Sequence, residues 1–129
     1  MSTLRLTTIS NQTGSSSVPS ETVINGSAKA WVNFNGTGTV AIRASFNVSS
    51  ITDGGTGQYT VNFTNAMVDE NYVVESSSTA SGGTYSLNVL DWNSSGYSAR
   101  TASAVKIALL AYNASNYYDS VSVNVAVFR

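Results

Sequence analysis

Two kinds of side chain in this sequence could act on a ligand, the carboxylates and the aromatics. The carboxylates are Glu21, Asp53, Asp69, Glu70, Glu75, Asp91 and Asp119. Cleaving a glycosidic bond takes two of them facing each other across a sugar, about 5–10 Å apart. Asp91 beside Trp92 is the best starting point, because an indole face stacks on a sugar ring. No spacing selects its partner, and a carboxylate at a strand end is ordinarily just solvated. Asp53-Gly54-Gly55 and Asp69-Glu70-Asn71 offer oxygens to Ca²⁺, but neither has the ligand spacing of a calcium loop, and a plain turn explains both. Gly36-Thr37-Gly38 lacks the lysine and following helix of a phosphate loop. The chain has neither His nor Cys, which removes Ser-His-Asp triads, thiol nucleophiles and conventional zinc sites. The expectation is a protein that is not an enzyme and holds no cofactor or metal.

The aromatics say more. Trp31 is out of phase with the apolar set Ala30, Val32 and Phe34, and Trp92 is out of phase with Leu87 and Val89. Tyr97, Tyr112, Tyr117 and Tyr118 fall near turns or on the second face of their strands. Such rings either close the ends of a β-sandwich or serve as interface anchors and sugar platforms. Lys29, Trp31 and Arg43 share the outward face of the first hairpin in this reading, and a subunit contact is expected there first. Asp91, Trp92, Tyr97 and Tyr117 are the candidate glycan platform of a second reading, a monomeric carbohydrate-binding module.

Composition bounds both readings. Of 129 residues, 59 are Ser, Thr, Asn or Gly, and only 10% are charged, for a net charge of −1. An average soluble domain is about 25% charged. A surface this close to neutral favours association over staying monomeric. Six scattered basic residues do not make the clustered patch that nucleic-acid binding needs. The longest apolar run, near residues 107–111, is far too short to cross a bilayer. The first thirty residues lack the continuous apolar stretch of a signal peptide.

Period-two alternation supplies the elements that would position these residues. It runs through Ala28, Ala30, Val32 and Phe34; through Val40, Ile42, Ala44, Phe46 and Val48; and through Tyr59, Val61 and Phe63. It returns at Tyr85, Leu87 and Val89, and at Val121, Val123, Val125 and Val127. Residues 105–112 are apolar on both faces, as for a central strand, with a buried helix as the alternative. Turns are marked by Asn35-Gly36, a pair favoured in tight hairpins, and by Asp53-Gly54-Gly55, Ser81-Gly82-Gly83 and Ser94-Ser95-Gly96. These spacings predict an all-β, mainly antiparallel β-sandwich (jelly-roll-like or Ig-like) over 28–129. Its expected core is Val40, Ile42, Phe46, Val61, Phe63, Leu87, Val89, Val123 and Val125. Residues 1–27, rich in Ser, Thr and Asn and holding the one proline, read as an extended N-terminal arm or attachment segment with one strand between Leu4 and Ile9, with disorder in isolation as the alternative.

One stretch carries a family likeness. The run Ala28-Lys29-Ala30-Trp31-Val32-Asn33-Phe34-Asn35-Gly36-Thr37-Gly38-Thr39-Val40-Ala41-Ile42-Arg43, continued by Ser45-Phe46-Asn47-Val48 and by Gly57-Gln58-Tyr59-Thr60-Val61-Asn62-Phe63-Thr64, resembles a tail-fibre and appendage module of marine and cyanobacterial bacteriophages. Ala66-Met67 and Asn71-Tyr72 extend the likeness, which covers about residues 24–75; Val68 stands where that pattern has proline. The resemblance implies a virion structural protein, made in the host cytoplasm and extracellular in the released particle. It further implies a homotrimer that meets other virion proteins and takes part in host-surface attachment, with a host polysaccharide as partner. Without a long shaft beside the module, a collar or head fibre or a capsid decoration protein is the alternative.

Overall fold

The computed structural model describes residues 2–79, 88–91, 100–110 and 116–129, with the backbone alone for Asn88–Asp91. The expectations for Tyr85, Leu87, Trp92, Tyr97 and Tyr112, and for the turns at Ser81-Gly82-Gly83 and Ser94-Ser95-Gly96, lie outside the described residues, as does the side chain of Val89.

Among the described residues the chain is a two-layer antiparallel β-sandwich. One sheet has four strands, β3 (Ala28–Asn35), β4 (Ala41–Phe46), β7 (Val73–Ser78) and β11 (Val123–Phe128), in the order β4-β3-β11-β7. The other is formed by β5 (Val48–Asp53), β6 (Gln58–Phe63), β8 (Asn88–Asp91), β9 (Arg100–Thr101) and β10 (Ala104–Leu110), in the order β5-β6-β10-β8 with β9 also on β10. Both are built from antiparallel pairs. In β3, β6 and β11 alternate residues are buried, since one face meets the other sheet and one meets water. Ala30, Val32, Phe34, Val123, Val125 and Val127 from the first sheet meet Tyr59, Val61, Phe63, Val105, Ile107 and Leu109 from the second in one core. β10 is the central strand its sequence predicts and not a helix. It is paired along both edges, and Ala108 and Leu110 on its second face are buried too.

The expected core is corrected at β4. Its six residues are all exposed, Ile42 and Phe46 by 38% and 54%, and Val40 only packs against the core's rim. Two backbone features break the alternation that runs from Val40 to Val48. Asn33 pairs with Ala44 but Phe34 pairs with Ile42, so Arg43 is the extra residue of a β-bulge. Beyond a bulge the facing of the strand is inverted. Ala44 and Phe46 therefore share the outer face with their partners Asn33 and Trp31. Asn47 then turns the chain from one sheet into the other, with a left-handed φ of 55°. Its amide donates to the Lys29 and Asn65 carbonyls (3.0 and 3.1 Å) and its Oδ1 accepts from Asn65 N–H (2.8 Å). Val48 emerges from that corner buried.

Residues 1–27 are not simply extended. β1 (Thr8–Ser10) pairs with β2 (Ser17–Pro19), and α1 (Ser20–Gly26) follows. The hairpin is closed by Asn11, whose side chain accepts from Thr13 Oγ1 and Ser16 N–H (both 3.3 Å) and donates to Ser15 Oγ (3.0 Å). Glu21 lies in the first helical turn, where the helix dipole favours an anion. No residue from Ser2 to Ser27 is buried.

The two turns also differ from expectation. Asn35-Gly36 opens a five-residue connection rather than a tight two-residue turn. Gly36 is there for room: a Cβ would lie 2.5 Å from the Tyr59 hydroxyl. The Asp53 carboxylate accepts from Gly55 N–H at 2.9 Å, and the β5–β6 hairpin is closed by Gly54 N–H donating to the Gln58 carbonyl (2.8 Å) and Gln58 N–H donating to the Gly55 carbonyl (2.9 Å).

Tyr59 ties three segments together. Its hydroxyl lies 2.8 Å from the Gly36 carbonyl and 2.7 Å from Asp119 Oδ1, which also accepts from Gly57 N–H at 2.7 Å. Burial, reinforced by the hydrogen bond and the charge of Asp119, pushes the Tyr59 phenol well above its ordinary value. The folded state thus holds this proton more tightly than the unfolded chain, where tyrosine ionises near about pH 10. The resulting stability is complete below that pH and is lost as pH rises above it. Tyr59→Phe is expected to cost about 1–3 kcal/mol at neutral pH. It should also flatten the alkaline loss, as urea midpoints at pH 8 and pH 11 would show; a variant that loses stability with pH as steeply as the parent contradicts this.

Candidate functional site

Among the described residues, the outer face of the four-stranded sheet presents an organised set of ligand-accessible groups. Across it the register aligns Phe46 of β4, Trp31 of β3, Ala126 of β11 and Glu75 of β7 in one row. The next row is Ala44, Asn33, Asn124 and Ser77. Because Ala126 is small, the face dips between Trp31 and Glu75 into a groove of about 430 Å³, within the size range of small-molecule sites. Neighbouring strands lie about 4.8 Å apart, so the two walls stand about 10 Å apart at the backbone.

The polar groups of the groove are pre-arranged. The Asn33 amide donates to Asn124 Oδ1 (2.7 Å) and Ser122 Oγ (3.0 Å), and the Asn124 amide donates to Ser77 Oγ (3.2 Å). This chain of bonds across three strands fixes both amide orientations and leaves Asn33 Oδ1 as an acceptor without a partner among the described residues. Nor do the Glu75 carboxylate or the Trp31 indole N–H have one among them. Trp31 is 40% exposed. A donor, two acceptors and an aromatic face thus line one concavity, and none of its lining residues is a cation.

Of the residues expected at a subunit contact, Trp31 alone lines this groove. The Lys29 ammonium donates to the Ile24 carbonyl of α1, and the Arg43 guanidinium donates to the Val121 carbonyl ahead of β11. The two cations are therefore bound to their own chain at opposite ends of β3. Lys29 also borders a second cleft of about 400 Å³ with Asn47, Met67, Val68 and Arg129. There Arg129 is engaged by Asp69 (3.0 and 2.5 Å), whose carboxyl is held below its ordinary value first of all by that hydrogen bond.

The expected glycan platform is only partly visible. Asp91 ends β8 with its side chain outside the described residues, where Trp92 and Tyr97 also lie. Tyr117 is half-buried and bridges to Leu110 of β10. Glu75, Asn33, Asn124, Ser77 and Phe46 were not expected at a site. Their one signal in the sequence is that Asn33 and Asn124 sit at out-of-phase positions of strongly alternating strands. Which strands pair, and in which register, is what brings them to Trp31.

Compared with known protein families, curated proteins and solved structures, the chain matches none of them.

Proposed function

We propose that this chain is a bacteriophage virion structural protein, a non-catalytic appendage module that assembles as a homotrimer and takes part in attachment to the host surface. The likeness over about residues 24–75 supports the appendage reading and supplies the number three. The observation that carries the assembly is β4, an edge strand among the described residues, exposed on all six positions, with Ile42 and Phe46 open to solvent and only one charged residue. Such an edge offers unpaired backbone groups and apolar side chains to another chain. A contact of this kind, between unlike surfaces of identical copies, closes into a ring under a threefold rotation. Subunit contact is therefore assigned to β4, the strand that carries Arg43, with Phe46 as its anchor.

Sedimentation equilibrium tests this. The parent is expected at three times the chain mass and Phe46→Asp at one, the variant still folded because within one chain Phe46 faces water. A parent of single chain mass would sink the homotrimer and leave the monomeric module in its place.

A further inference from the structure

We propose that the groove between Trp31 and Glu75 is a binding subsite for a neutral sugar ring of a surface polysaccharide. This names the ligand class of the attachment reading and rests on it. A pyranose presents an apolar C–H face and a rim of hydroxyls, each able to donate and accept. The groove offers the matching set: the half-exposed indole of Trp31 as a stacking wall, the unpartnered carboxylate of Glu75 and the Asn33 Oδ1 as acceptors, and Ala126 as a floor that leaves space. The Asn33 acceptor is held in place before any ligand arrives, because the Asn33–Asn124–Ser77 chain of bonds fixes its amide, and a preorganised group loses less on binding. Charge decides the class. With one carboxylate and no cation among its described lining residues, the groove repels uronic acids, sialic acids and phosphorylated glycans. The groove also lies on the side of Trp31 away from Phe46, so a subunit seated on β4 leaves it open.

The test is calorimetric titration of the whole protein with tetrasaccharides of glucose, galactose, mannose and N-acetylglucosamine, beside glucuronate-containing and sialylated counterparts. At least one neutral tetrasaccharide should bind, and the acidic counterparts more weakly. Trp31→Ala should weaken binding about tenfold or more. Glu75→Gln should weaken it severalfold while narrowing the gap to the acidic ligands. Trp92→Phe should bind as the parent does. Sedimentation mass of Trp31→Ala is measured in parallel and should equal that of the parent. No binding by any neutral tetrasaccharide, undiminished binding by Trp31→Ala, or loss confined to Trp92→Phe each overturns the subsite while leaving the assembly reading intact. A Trp31→Ala protein that falls to single chain mass overturns it too, by making the groove part of the subunit contact.

Discussion

Phe34→Ala is expected to lower the stability of this protein by about 3–5 kcal/mol, the usual range for emptying a fully buried aromatic position. Phe34 is wholly inaccessible to solvent and lies edge-on to Tyr59, ring centroids 5.1 Å apart at 74°. It is the point at which β3 of one sheet meets β6 of the other, so its removal leaves a void between layers that the backbone is not free to close. With a urea slope of about 1–3 kcal/mol/M, the midpoint should fall by about 1–5 M. A fall equivalent to less than about 1 kcal/mol would mean that the two sheets do not pack there as described.

Gly57→Ala is expected to cost about 3 kcal/mol or more, for two reasons that separate experimentally. Gly57 has a φ of +64°, where a Cβ costs about 1–2 kcal/mol by itself. A Cβ there would also stand 2.7 Å from both the N and O of Tyr118 and 2.9 Å from the Leu109 carbonyl oxygen. All three are backbone atoms, in a segment stitched by Leu109 N–H to Gly57 O (2.7 Å) and Tyr118 N–H to Leu109 O (3.2 Å). Neither side can yield without breaking those bonds. Gly38 is the control, with a φ of +62° and no atom within 4 Å of a Cβ. Gly38→Ala measures the conformational cost alone, and the difference in unfolding free energy between the two variants measures the clash. Equal losses would show that the Tyr118 backbone does not approach Gly57.

How much of this was legible in the chain follows from how each signal is encoded. β3, β6 and β11 could be read directly, because a strand with one face in water and one in a core must alternate. β10 was legible from its lack of alternation, though length and composition alone left a helix open. β4 was misread because alternation carries no mark of a bulge: Arg43 is an ordinary strand residue until Asn33 and Phe34 pair around it. The hairpin within residues 2–27 is closed by bonds among neighbouring Ser, Thr and Asn side chains, and the helix after it has only seven residues, spans too short to show a period. At the candidate site Trp31 could be found, since a large aromatic out of phase with a core invites attention. Glu75 and Asn124 could not, because they reach Trp31 only through the register of β11 against both β3 and β7.

The hairpin and helix at the amino end buries nothing in the sandwich. Folding free energy is therefore almost blind to its sequence, and substitutions there should accumulate or recombine at little thermodynamic risk. The stability of the sandwich is thus set by residues 28–129, and a change within residues 2–27 should leave its unfolding midpoint where it is.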